Sequence, residues 1–359
     1  MTQKGIISLK AGLLCLGATV DSDTAAELLE EYPHFFDKGF IHAVNIHLRE
    51  SNINISVAER FSIDSPYSII KDGGGYRVRG NGYDEPITFF DALPHTGTVV
   101  DDMARLHSDG CINIWPSTVC CYDEPDRKCR FCSLKADRSE PVAIDELCVG
   151  IKRLLEQTPS YYMLNFSGGT YRDPDNMLRY WIELTKAIRA FSDCRIAIEF
   201  APPTSFELLE QLRDAGCSAV IMNLEVADPE LRKEICPGKS SIPYERYHAA
   251  FRRAVELFGW GMVSSVLIGG IQPKEDIIRE CAVMASEGVF PTIMPFRPMD
   301  DCELNGFSRC DPAELEEMSI VLGGLLIKHD LQYKKQEGCT KCGGCSLEND
   351  CYDSLLKSE

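Results

Sequence analysis

From residue 111 onward the chain alternates short apolar runs with longer amphipathic stretches. Runs of strand length fall at 111–115, 161–166, 195–200, 219–224, 262–268 and 290–295. Between them, apolar residues recur at helical spacing over 144–156, 175–191, 205–215, 244–258 and 274–287, and one more such stretch covers 312–331. Strands that alternate with helices predict a parallel sheet with crossover helices. The expected fold class is therefore α/β, a partial or full (β/α) barrel over residues 111–331. Residues 1–110 have another texture. A helical pattern at 21–32 precedes strand-like alternation at 42–47 and 52–57, and Gly73, Gly74 and Gly75 interrupt two further strand-like runs within 67–78. This predicts a small α+β N-terminal extension. Residues 332–359 form a cysteine-bearing tail.

Composition narrows the picture. A chain of 359 residues accommodates one barrel-sized domain plus a smaller unit. No apolar run is long enough to span a bilayer. The apolar stretch near the N-terminus is interrupted by Lys10 and leads to no clear cleavage site, so a secretory signal is not expected and a cytoplasmic location is. A net charge of -18 argues against a nucleic-acid partner. Seventeen cysteines in a reducing compartment do not predict disulfides. They form two tight groups, at 120–132 and 339–351. Others, such as Cys148, Cys217 and Cys281, sit beside apolar residues and read as small core fillers.

The first group, Cys120, Cys121, Cys129 and Cys132, lies on the loop after the first apolar strand of the repeat. That is the barrel end where active sites gather. Three thiolates can hold three irons of a [4Fe-4S] cube and leave the fourth open. Thiolates suit zinc equally well, and using all four cysteines would close a tetrahedral zinc site.

With Phe131 before its last cysteine, this loop resembles that of the radical S-adenosylmethionine (SAM) superfamily. The usual spacing there is CxxxCxxC. Here the first gap is longer, as in some biotin-synthase-like members, and either Cys120 or Cys121 serves as the first ligand, with Cys120 slightly favoured. Further resemblances follow in order. Ser167-Gly168-Gly169-Thr170 stands where the family holds the SAM amino group, with Thr170 replacing an acid. Asn223-Leu224-Glu225 is similar to the segment that meets the SAM ribose. Lys239, or Arg232 in competition with it, stands where a basic residue takes the SAM carboxylate. Val266 to Gly270 resembles the strand that packs adenine, and Pro295-Phe296-Arg297-Pro298 the sixth-strand ending. Glu199 sits on an otherwise apolar strand, where a carboxylate is costly unless paired or functional, and it is a candidate for SAM or substrate. Each element also has a plain reading: Gly168 and Gly169 as a turn, Glu225 as a helix-capping acid, Lys239 as a surface lysine.

The second group, Cys339, Cys342 and Cys345 with Cys351 beyond, has the dense spacing of ferredoxin-type loops, and Gly343 and Gly344 give the backbone room to wrap a cluster. Zinc is the competing occupant. The resemblance favours an auxiliary iron–sulfur cluster. It implies a SAM-cleaving enzyme with a small-molecule or cofactor-precursor substrate, a reductant such as ferredoxin or flavodoxin, and an outcome such as sulfur insertion or carbon-skeleton chemistry. Arg297, Asp300 and Asp301 are candidate substrate contacts. The alternative is a zinc-binding α/β-barrel hydrolase or scaffold without radical chemistry.

Overall fold

The computed structural model describes residues 2–31, 43–57, 60–108, 110–134, 141–160 and 163–357. Six parallel strands run in sequence order across one sheet: Cys111–Ser117, Met163–Gly168, Arg195–Glu199, Ala219–Ile221, Val263–Gly269 and Val289–Pro295. A seventh, Ala104–Ser108, pairs antiparallel on the outer edge of the first. The two edge strands of this sheet do not pair with each other, so it is a curled half-barrel rather than a closed one. The first two residues of the run expected at 161–166 lie outside the described residues, as do Tyr32 of the expected helix and His42 of the expected strand at 42–47.

The crossover helices form because their apolar residues share one face and their ends are capped. In Pro174–Arg189, Asp173 accepts a hydrogen bond from the Asp175 amide, and proline occupies the first turn, where no amide donor is needed. Met177, Leu178, Trp181, Ile182 and Ile188 are buried against Phe166 and its neighbours on the sheet. Each such side chain contributes about 1.5–3 kcal/mol on burial, an upper bound. The strand residues alternate accordingly. Leu164, Phe166, Ile196, Ile198 and Val220 face the helices, whereas Asn113, Asn165, Glu199 and Asn223 face the concave side.

The open flank of the half-barrel is covered from two directions. A second sheet of six strands includes the hairpin Ala43–Leu48 and Ser51–Ser56. Asn45 of that hairpin donates to the Leu106 carbonyl on one edge (3.2 Å). Asn54 receives both terminal nitrogens of Arg297 from the other, at 2.9 and 3.0 Å. The tail fills the space between. A Cβ on Gly338 would stand only 3.2 Å from Ala197 Cβ and 3.4 Å from Ile221 Cδ1, so this residue lies on the concave face. The Gly344 carbonyl then accepts from the Asn54 amide (2.8 Å). The apolar N-terminal stretch is the helix Gln3–Leu16, packed on Pro312–Lys328. Its Lys10, only 1% exposed, donates to the Gly343 carbonyl (2.7 Å) and pairs with Asp350 (2.6 Å). The same helix thus clamps the tail from outside.

One ion cluster among the crossover helices gives the fold a pH dependence. Buried His248 of Tyr244–Phe258 lies 2.7 Å from Glu287 and 3.0 Å from Glu280, and Tyr244 donates to Glu280 (2.7 Å). Burial alone would depress the imidazolium, but the two carboxylates outweigh it and raise His248 from 6.5 to about 9. A raised folded-state value contributes stability in full below about 6.5 and loses it as pH climbs through about 9. Denaturant midpoints of the wild type should therefore decline over that window relative to His248→Gln. Parallel curves for the two proteins would show that the cluster contributes nothing.

Candidate active site

The loop after Cys111–Ser117 carries three of the cysteines of interest into one neighbourhood. The Cys132 amide donates to the Cys129 carbonyl (2.9 Å), closing a tight turn that brings both side chains to one side. Burial pushes the Cys132 thiol up to about 12, and the nearby Cys129 and Cys120 sulfurs add to the rise. The half-buried Cys121 has its amide donating to the Thr170 carbonyl (2.7 Å); burial and the Cys120 sulfur push its thiol up to about 11, against the opposing pull of Arg127 and Arg172. Lys128 staples the loop by bridging Asp123 (2.7 Å) and the Leu134 carbonyl (2.9 Å). Half-buried thiols gathered on one loop are ready ligands for a metal that takes their protons. The donor set fits an iron–sulfur cluster.

The glycine pair explains how the loop seats. A Cβ on Gly168 would lie 2.5 Å from the Ser117 carbonyl oxygen. One on Gly169 would lie 2.1 Å from the Val119 oxygen and 2.7 Å from Cys120 Cβ. Only glycine admits this approach. We expect Gly169→Ala to cost about 3 kcal/mol through forced backbone displacement, and to lower iron incorporation. A variant with wild-type melting temperature and iron content would contradict this.

Opposite the loop stands the chain that leaves Ala219–Ile221. Asn223 donates to Glu199 (2.7 Å) and accepts from the Val266 amide (3.0 Å), which fixes both polar side chains on the concave face. Glu225 has a φ of 69°, an uncommon conformation for a side-chain-bearing residue. Three bonds hold it there. Its amide donates to Val266 (2.8 Å), and its carbonyl accepts from Ile268 (2.9 Å) and from Gln272 Nε2 (2.8 Å). The carboxylate is thereby turned onto Lys239 Nζ at 2.7 Å. Burial opposes the Lys239 charge, but Glu225, Tyr247 and Cys129 hold it well above the ordinary lysine range.

Arg232 has a different place. Its guanidinium is buried over the Tyr247 ring and donates to the carbonyls of Leu224, Ile242 and Lys239 and to Tyr247 Oη. It braces the loop that presents Lys239. Arg297 is bound by Asn54, and Asp300 accepts from the Arg60 amide (3.3 Å). Asp301 is half-buried in the same loop.

In the second cysteine group, Cys345 is buried and Cys342 half-buried. Gly343, at a φ of 62°, turns the chain between them, and the Gly344 amide donates to Cys342 Sγ (3.2 Å). Cys339 opens the one-turn helix Cys339–Cys342; its side chain lies outside the described residues. Cys351 sits instead in the apolar seam against Gly323 of Pro312–Lys328, where a glycine Cβ would be 3.2 Å from Cys351 Cβ.

One residue of the site was missed by sequence reasoning. Cys236 ends the helix Pro229–Ile235 and is fully buried. Its sulfur, the Cys129 sulfur and a Glu225 oxygen all lie within 4.8 Å of one another. In the sequence, Cys236 stands only as a neighbour of Lys239. The pairing of positions 129 and 236 leaves no trace in local spacing.

Residues 121–281 match the family model described as the Radical SAM superfamily. The chain carries a radical SAM domain. The matched segment includes Cys129, Cys132, the glycine pair and the Asn223–Lys239 region. A curated relative, bacteriochlorophyllide c C-7(1)-hydroxylase of Chlorobaculum limnaeum, is 25% identical over 256 residues, which cover 65% of this chain and 64% of that protein. The chain thus matches just under two thirds of that relative's length. Among solved structures, methylornithine synthase (PylB) aligns with a TM-score of 0.49 at 19% identity, covering 68% of this chain and 70% of that one. The FeFe-hydrogenase maturase HydG from Carboxydothermus hydrogenoformans aligns with a TM-score of 0.47 at 17% identity, covering 60% and 51%. Among the described residues, no helix is long and apolar enough to cross a membrane.

Proposed function

We propose that the protein cleaves SAM reductively and uses the resulting radical to remove hydrogen from an unactivated C–H bond of a small molecule or cofactor precursor. Cys120, Cys129 and Cys132 would hold the [4Fe-4S] cluster. When bound, that group supplies the electron that splits the C5′–S bond of SAM and releases the 5′-deoxyadenosyl radical. The protein's part is orientation and exclusion of water. Lys239, held by Glu225, is the cation suited to the SAM carboxylate. The Glu199–Asn223 pair offers polar atoms to the ribose or amino group, and Gly168, Gly169 and Thr170 keep their backbone close to the cluster loop.

Cys339, Cys342 and Cys345 are proposed to hold an auxiliary iron–sulfur cluster on the concave face, with Cys351 as packing. The biotin-synthase-like placement rests on the Asn223-Leu224-Glu225 and Cys339-to-Cys345 segments. Sulfur insertion is one outcome compatible with it. The hydroxylase activity carried in the relative's name supports a C–H functionalisation in the broader sense. Ferredoxin or flavodoxin would supply the electron.

The observation that carries this reading is the gathering of Cys120, Cys129 and Cys132 in one neighbourhood, with Cys120 packed on Gly169, inside a chain that matches the family model. Anaerobic purification should give a brown protein that dithionite bleaches and that releases 5′-deoxyadenosine from SAM. A colourless protein with stoichiometric zinc would overturn it.

A further inference from the structure

Three of the four loop cysteines, Cys120, Cys129 and Cys132, are assigned to the cluster, and a cube has four irons. The structure brings one more sulfur to the same place from a distant part of the chain. Cys236 is fully buried, and its sulfur, the Cys129 sulfur and a Glu225 oxygen lie mutually within 4.8 Å. Among the described residues this is the one group of three or more potential metal donors so close together. Two backbone bonds press the segment onto the cluster loop. The Arg130 amide donates to Ile235 (2.9 Å), and the Gly238 amide donates to Arg127 (3.0 Å). Gly238 is needed for that contact, because a Cβ there would meet the Arg127 carbonyl oxygen at 2.6 Å and the Tyr122 ring at 2.5 Å.

Cys236 lies in an apolar cluster with Val226, Ile235 and Ile268. Within it the Glu225 carboxylate stands 3.9 Å from its sulfur, and the second carboxylate oxygen is paired with Lys239. The strained backbone of Glu225 aims that carboxylate inward. Sulfur, carboxylate and ammonium therefore stand together against the cluster loop.

We propose that Cys236 is a displaceable fourth ligand: in the absence of SAM its thiolate caps the iron that Cys120, Cys129 and Cys132 leave open, and SAM takes its place. This rests on the reading of the loop as a [4Fe-4S] site. Binding costs Cys236 its proton. On displacement, the Fe–Sγ bond breaks with both electrons kept by sulfur. The thiolate then takes the proton that the SAM ammonium must shed before its amine can ligate iron. Charge and protons balance without a further reactant, and no oxidation state changes. The capped state would protect the cluster from losing iron while no cosubstrate is present.

The test uses the full chain, reconstituted anaerobically with iron and sulfide, as wild type, Cys236→Ala and the near-isosteric Cys236→Ser. Ferricyanide is added without SAM, and the EPR signal of a three-iron cluster is followed. The wild type should convert at least several-fold more slowly than either variant, and saturating SAM should bring the three to one rate. Removing the competing ligand should also tighten SAM binding by about tenfold. Equal conversion of wild type and Cys236→Ser without SAM would overturn the proposal and leave Cys236 as a hydrogen-bond partner of Cys129. Failure of the wild type itself to hold any cluster would be a failure of the functional reading instead, and iron content reports that separately.

Discussion

Cys132→Ala should reduce 5′-deoxyadenosine formation from SAM to the level of a protein-free control, with dithionite as reductant. Cys132 is the informative position. Its half-buried thiol is pushed up to about 12 by desolvation, with Cys129 and Cys120 adding to the effect, so a metal is the natural agent to take its proton. Its amide closes the turn onto Cys129, and its sulfur accepts from the Leu134 amide (3.4 Å). Alanine removes one of three anchors and leaves a second iron unheld. Cys129→Ala is a less decisive experiment, because Cys236 stands near enough to replace the missing sulfur. Retention of SAM cleavage in the Cys132 variant would exclude the proposed ligand set.

The second large effect is expected at Cys342. Its replacement by alanine should remove roughly half the iron if both sites hold four-iron clusters, while uncoupled SAM cleavage persists. The separation follows from geometry. Cys342 belongs to the tail, beside Asn52 of the covering hairpin, whose side chain reaches the Cys342 carbonyl (3.4 Å), whereas the first group lies on the loop bound to Ile235 and Gly238. Iron and sulfide analysis with parallel 5′-deoxyadenosine assays measures both quantities in one preparation. Unchanged iron content would show that the tail holds no cluster.

The half-barrel was largely legible because its strands are buried on both faces and read as apolar runs, while its helices carry one apolar stripe. The helix at 244–258 was read to the residue, as Tyr244–Phe258. The strand at 219–224 is shorter than its apolar run, Ala219–Ile221, because the chain bends to place Asn223 and Glu225 at the site. In the second sheet the glycine turn was readable: Gly73 and Gly74 take φ of 61° and 90° between Tyr67–Asp72 and Gly75–Gly80. Its strand order was not, because it depends on pairings such as Thr19–Val20 with the distant Tyr67–Asp72. At the site, the segments that carry the resemblance bring Glu225 and Lys239 into an ion pair that no local spacing predicts. The sequence alone does not distinguish Arg232 from Lys239, because the carbonyls that surround the guanidinium belong to other turns of the chain. Cys236 is illegible there because its partner Cys129 is remote in sequence.

The clamp between Lys10 and Asp350 also bears on the order of events during biosynthesis. Lys10 of the helix Gln3–Leu16 finds its partners far along the chain, with Gly343 and Asp350 at 2.7 and 2.6 Å. A contact of such long sequence separation forms late, since much of the chain must be ordered before it is rewarded. Until translation has passed residue 350, the tail is unclamped and the flank has only the hairpin of Ala43–Leu48 and Ser51–Ser56 to cover it. Metal delivery through that flank would be easiest in this interval, and anaerobic pulse-labelling with iron during synthesis would reveal whether the cell uses it.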